Sequence, residues 1–232
     1  MFSLSPYEWE VIRLSLKIGV VAIIFSLPLG IVTAWILARY NFYGKSLVDG
    51  IINLPLVLPP VVIGYLLLVT MGKNGYVGRW LDQLFGFSFS FNWKGAALAS
   101  AVVSFPLLVR SIRLSFESIN QNLEFAARSL GASFLKSFFT ITLPLAIPGI
   151  ISGVVLAFAR SLGEFGATIT FVSNIPGETR TLPLAMYTLI QIPNREADTM
   201  RLCVIAIIIS LGALLISEWL NRSHRRRLGE TR

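Results

Sequence analysis

Five apolar runs, at 18–38, 51–72, 95–109, 147–172 and 202–220, dominate the chain. A helix needs about 20 such residues to cross the hydrocarbon core of a bilayer. In lipid, helices and closed barrels are the structures that satisfy their own backbone polar groups. The runs therefore predict an all-α membrane protein, a single transmembrane domain over 1–232 with about five spans. The third run, "GAALASAVVSFPLLV", is short and is expected to recruit flanking residues. The first is read as a span and not as a signal peptide, because residues 1–9 carry no Lys or Arg and the run is too long for an h-region. Proline or glycine falls inside nearly every run: Pro28, Gly30, Pro55, Pro59, Pro60, Gly64, Pro106, Gly153, Gly163 and Gly166. Two readings stay open: tolerance, with neighbours satisfying freed carbonyls, or bent helices that pack closely and leave a pathway.

Only 14% of the residues are charged, against about 25% in soluble domains, so the apolar content belongs to lipid and not to a large soluble core. The net charge of +8 does not indicate nucleic-acid binding, since the bases lie in short loops and the tail, where topology rules place them. One cysteine, Cys203, excludes an internal disulfide, and one histidine, His224, sits in the basic tail. No His/Cys cluster for zinc and no triad with a histidine base can form inside the membrane. There is no G-x-x-x-x-G-K-[ST] loop, so the chain has no P-loop ATPase site, and no cofactor is implied.

The tail after Leu220, the loop 39–50 and the loop 110–143 together hold eleven Lys and Arg; the segments on the opposite side hold eight. With "NRSHRRR" abutting the last run, the positive-inside rule puts the C-terminus in the cytoplasm and the N-terminus outside. No internal repeat is apparent, which weakens a self-contained secondary transporter.

The segment 113–144 is too polar to span and too apolar to float free. Leu123, Ala126, Ala127 and Leu130 share one face of a short helix, with Asn122 expected as its N-cap and Glu124 complementing the helix dipole. Gly131 suits a left-handed turn, Ser133 can cap a second helix, and Pro144 is expected to stop that helix. The small alanine face would let the helix seat deeply, either in a partner or under the protein's own spans.

Glu124, Ala126, Ala127, Gly131, Ile141, Leu143 and Pro144 match E-x-A-A-x(3)-G-x(9)-I-x-L-P. This resembles the cytoplasmic loop of permease subunits in binding-protein-dependent ABC importers. The resemblance implies that the loop is a coupling helix docked on an ATPase subunit. A second stretch, "FARSLGEFGATITFVSNIPGETRTLP", with "NLPLVLPPVVIGYLLL", is similar to molybdate permeases; sulfate permeases share "GEFG" and then diverge. An extra N-terminal helix of some archaeal relatives is absent here, so five spans are expected and not six.

The resemblance implies a subunit of the bacterial cytoplasmic (inner) membrane that imports molybdate. Its partners would be two ABC ATPase chains and a periplasmic or extracellular molybdate-binding protein. Tungstate or sulfate, or a stand-alone secondary transporter, are the alternatives. Five spans make a small private pathway, which favours a homodimer with the route at the interface. Arg160 and Glu164, at i and i+4, are the ionisable pair expected inside a span. Either they neutralise each other to orient the fourth helix, or Arg160 attracts the substrate; Glu164 would repel a dianion. Ser161, Thr168 and Thr170 are candidate hydroxyl donors along the pathway.

Overall fold

The computed structural model describes the backbone of residues 4–227 and the side chains of residues 4–84 and 86–220. Every regular element among these residues is a helix. Helix α1, Pro6–Arg39, opens on a capping box: Ser5 Oγ accepts from the Glu8 N–H while the Glu8 carboxylate accepts from the Ser5 N–H. At about 1.5 Å per residue its 34 residues reach roughly 50 Å, well beyond a core of about 30 Å, so its first turns stand clear of the span. There the buried Glu8 pairs with Arg201 at 2.7 Å and ties α1 to the last helix.

The run at 51–72 is not one straight helix. It divides into α2, Lys45–Val57, and α3, Pro60–Met71, bent by 114°. Pro60 has no N–H and disfavours the helical state at Pro59, which breaks the helix at that point. The segment beyond carries α4, Tyr76–Phe85, an amphipathic surface helix. The short third run grows, as expected, into α5, Trp93–Ser118, started by Asn92, whose side chain accepts from the N–H groups of Lys94 and Gly95.

After α5 come α6, Asn122–Ser129, and α7, Phe134–Ser137, which widens into a π-helical turn, Phe138–Thr142, and continues as α8, Leu143–Leu162. The fourth run, read as a single span over 147–172, is broken at Gly163–Phe165. It resumes as α9, Gly166–Val172. Helix α10, Leu182–Ile190, leads to α11, Glu196–Arg227. The backbone of the "NRSHRRR" segment belongs to α11, but its side chains, His224 included, lie outside the described ones.

Helix α5 is the centre of the bundle, packed on α1 and α8. A Cβ on Gly149 would fall 2.2 Å from Ser115 Cβ, so α8 crosses α5 at a distance that only glycine allows. Among the described residues four helices, Pro6–Arg39, Trp93–Ser118, Phe134–Leu162 and Glu196–Leu220, are long and apolar enough to cross a bilayer. The bent pair α2–α3 makes a fifth when counted as one span.

Candidate functional site

The polar segment after α5 forms two helices around a turn. Asn122 is the first helical residue and not the cap; its N–H is taken by Asn120 Oδ1. At the other end Gly131 has φ +90°, and Ala132 N–H donates to the Ala127 carbonyl, the 6→1 bond of a Schellman turn. Ser133 Oγ accepts from the Lys136 N–H and starts α7 as expected.

Pro144 does not stop the second helix. The chain widens to the π register just before it, where the Leu143 N–H reaches the Phe138 carbonyl. The wider turn carries the backbone past a residue that has no N–H to give and whose ring would crowd the carbonyl four residues back. Ile141, Leu143 and Pro144 are half-buried within this passage.

Helix α6 buries no residue. Leu123, Phe125, Ala126 and Leu130 are exposed and Ala127 is half-buried, so its apolar face is not used under the chain's own spans. Glu124 is different. Its Oε1 lies 2.7 Å from Arg39 Nη2 and also accepts from Thr142 Oγ1 at 2.7 Å. Arg39, the last residue of α1, has a side chain 8% exposed, and its Nη1 donates to the Ile119 carbonyl at 3.5 Å. Sequence reasoning counted Arg39 only as a loop charge. A pairing across 85 positions leaves no local signal.

Arg160 and Glu164 do pair, Nη1 to Oε2 at 2.9 Å, but at the end of a helix and not in mid-span. Glu164 stands in the break after α8, and its Oε1 accepts the Ala167 N–H at 2.8 Å, which caps α9. Its side chain is 1% exposed while that of Arg160 is 30% exposed, so the cation sits at the edge and the carboxylate inside. Ser161 is buried and turned toward α1, 3.6 Å from where a Cβ on Gly19 would lie. Thr168 is buried, and neither its hydroxyl nor that of Ser161 has a hydrogen-bond partner among the described residues. The half-buried Thr170 donates to the Gly166 carbonyl of its own helix at 2.7 Å.

Residues 26–230 match the model of the binding-protein-dependent transport system inner membrane component family. The chain is 64% identical over 223 residues to the molybdenum transport system permease protein ModB of Haemophilus influenzae, covering 96% of this chain and 97% of that one. It is 61% identical over 226 residues to ModB of Escherichia coli K12, covering 97% and 99%. The sulfate transport system permease protein CysT of Salmonella typhimurium is 37% identical over 212 residues, covering 91% of this chain and 75% of that one. Among solved structures, a bacterial alginate ABC transporter in complex with an alginate pentasaccharide-bound periplasmic protein aligns with a TM-score of 0.69 at 18% identity, over 98% of this chain and 81% of that one. The inward-facing MetNI methionine ABC transporter aligns at 0.67 and 16%, over 94% of each. These two likenesses establish the fold. The chain is a multi-pass protein of the inner membrane and belongs to the binding-protein-dependent transport system inner membrane component family.

Proposed function

We propose that this chain is the permease subunit of an ATP-driven importer for molybdate. The observation that carries the substrate is the contrast in identity: 64% and 61% to two molybdenum permeases over almost the whole chain, against 37% to a sulfate permease. Two copies would form the pathway between them, with an ATPase subunit on each coupling loop and a binding protein delivering the dianion from outside. The C-terminus and α6 would face the cytoplasm and the N-terminus the exterior, as the distribution of Lys and Arg favours.

The exposed apolar face of α6, with Leu123, Ala126 and Leu130 uncovered, supports the docking of an ATPase there, with Gly131 setting the turn and Ile141, Leu143 and Pro144 the passage back into the membrane. In this reading, closure of the ATPases on ATP draws the two α6 helices together and turns the cavity outward; hydrolysis resets it. Of the pathway candidates, Arg160 and Thr170 are the partly exposed ones. Glu164 pairs with Arg160 from the buried side, and Ser161 and Thr168 are buried. Hydroxyls and a neutralised arginine can pass a dianion along without trapping it, because no full unpaired charge has to be given up on release.

The test is uptake by a strain lacking this gene and complemented with it. Molybdate uptake should depend on the gene, with tungstate competing and sulfate competing poorly. Dependence of sulfate uptake alone would overturn the substrate. Substrate flux through this chain reconstituted without an ATPase would favour a secondary transporter instead.

A further inference from the structure

We propose that Glu124 works on the inner side of the coupling loop. It is the positioning residue that makes α6 move with α1 and with the start of α8, and not part of the surface offered to the ATPase. The inference rests on the reading of α6 as the coupling helix and names how its motion enters the membrane.

The geometry is specific. A single carboxylate oxygen, Glu124 Oε1, takes a guanidinium N–H from Arg39 and a hydroxyl from Thr142, both at 2.7 Å. Arg39 ends α1, and its other terminal nitrogen reaches the carbonyl of Ile119, where α5 ends. Thr142 is buried and closes the π-helical turn that opens α8. Two of the bundle's long helices, α1 and α8, therefore meet α6 through one side chain, and Arg39 extends the link to the end of α5. The rest of α6 offers little grip: it buries nothing, and the elements it packs on are α7 and the π turn.

Charge-assisted hydrogen bonds are the short, strong kind. A carboxylate held by two of them transmits displacement better than the exposed apolar contacts around it. The π turn is the fitting receiver. Its i→i+5 register is a local irregularity in an otherwise α-helical 29-residue segment, and such turns are places where a helix can change register. An acidic residue serving only the dipole of α6 would stay solvated in the first turn. Glu124 instead crosses to other elements, with its side chain only 20% exposed.

The experiment uses the complete complex of this chain with its ATPase and loaded binding protein in proteoliposomes. It reads ATPase co-purification, molybdate uptake and ATP hydrolysis on each sample. Glu124→Gln and Arg39→Gln should each retain the ATPase while uptake per ATP hydrolysed falls at least tenfold. Thr142→Val should fall severalfold, and the exchange Arg39→Glu with Glu124→Arg should stand severalfold above either single reversal. Should Arg39→Gln fail to insert, Arg39→Gln with Glu124→Gln leaves no charge unmatched and must show the same uncoupling. Loss of ATPase co-purification in Glu124→Gln but not in Arg39→Gln would place Glu124 on the docking face and overturn the proposal. Unchanged coupling in all these variants would overturn it equally. A wild-type complex that moves sulfate and not molybdate would sink the substrate assignment alone, since the coupling ratio is then read on sulfate. A wild-type chain that never binds an ATPase would sink both.

Discussion

The Arg160–Glu164 pair predicts an asymmetry that the two residues' formal equivalence hides. The Glu164 side chain is 1% exposed and that of Arg160 is 30% exposed. Arg160→Gln strands a carboxylate inside the protein; breaking a buried pair in this way costs about 3–5 kcal/mol. Glu164→Gln keeps the acceptor that holds the Ala167 N–H and releases an arginine already near the edge, which can turn toward polar surroundings. The lost charge-assisted contact is then worth only about 1–2 kcal/mol. The double variant removes both charges and should resemble Glu164→Gln. Thermal unfolding of the purified protein in one detergent should therefore rank Arg160→Gln least stable, with Glu164→Gln and the double variant close together. A gap of about 2 kcal/mol is some thirtyfold in the folded-to-unfolded ratio, large enough to see as aggregation on heating. Uptake by the double variant then separates the two roles. Substantial transport marks a pair that fixes the join of α8 and α9, whereas a stable but inactive double variant marks Arg160 as a substrate contact. A result in which Glu164→Gln is the less stable single variant would refute the burial argument itself.

Three further outcomes are expected. Gly64→Ala puts a methyl 2.6 Å from the Ala167 carbonyl oxygen and should cost about 1–3 kcal/mol, while Gly50→Ala, with nothing within 4 Å, should be neutral or mildly stabilising; equal melting of both would refute the close α3–α9 contact. Gly131→Val forces a β-branched residue to φ +90° and Ala127→Trp obstructs the exposed face of α6, so both should insert normally yet lose most uptake and ATPase co-purification; normal coupled uptake would remove the docking argument. Cysteines at Ser118 and at Asn74, in a Cys203→Ala background, should label from opposite sides of the membrane, and same-sided labelling would break the proposed orientation.

What could be read from the sequence was whatever has a local period or a local punctuation mark. Apolar length gave the spans, Ser133 the start of α7, and Gly131 the left-handed turn, because each acts within a few residues of itself. Hydropathy averages over a window, so it runs straight across the breaks at Leu58–Pro59, which lies among wholly apolar residues, and at Gly163–Phe165, where Arg160 and Glu164 are outweighed by the apolar residues on either side. Pro144 was misjudged for the opposite reason. A proline is a helix stop only if the preceding turns keep the α register, and the π turn at Phe138–Thr142 changes that register. In the candidate site, the shared apolar face of α6 followed from its spacing, but neither its exposure nor the inward direction of Glu124 did. Its partners, Arg39 and Thr142, lie 85 and 18 positions away, and nothing in a single sequence connects them.

The two broken spans are not independent accidents, because they break where they meet. A Cβ on Gly166, the first residue of α9, would lie 2.9 Å from Pro60 Cβ and 3.3 Å from Val61 N, so the first turns of α3 and α9 are in contact. Gly64 then allows α3 to lie directly against Ala167 and Thr170, and Ile63, Leu67, Ala167 and Phe171 close over one shared core. A helix that starts inside an apolar region leaves N–H groups without partners, each expensive to bury. Here one break begins with a proline, which has no N–H to leave, and the other is served by the buried Glu164 carboxylate on the Ala167 N–H. Three of the prolines and glycines in the apolar runs, Pro60, Gly64 and Gly166, thus form a matched set with Glu164. Pro60 and Glu164 deal with the backbone groups that the breaks expose, and Gly64 and Gly166 let the two short helices approach closely enough to replace the lost continuity with packing.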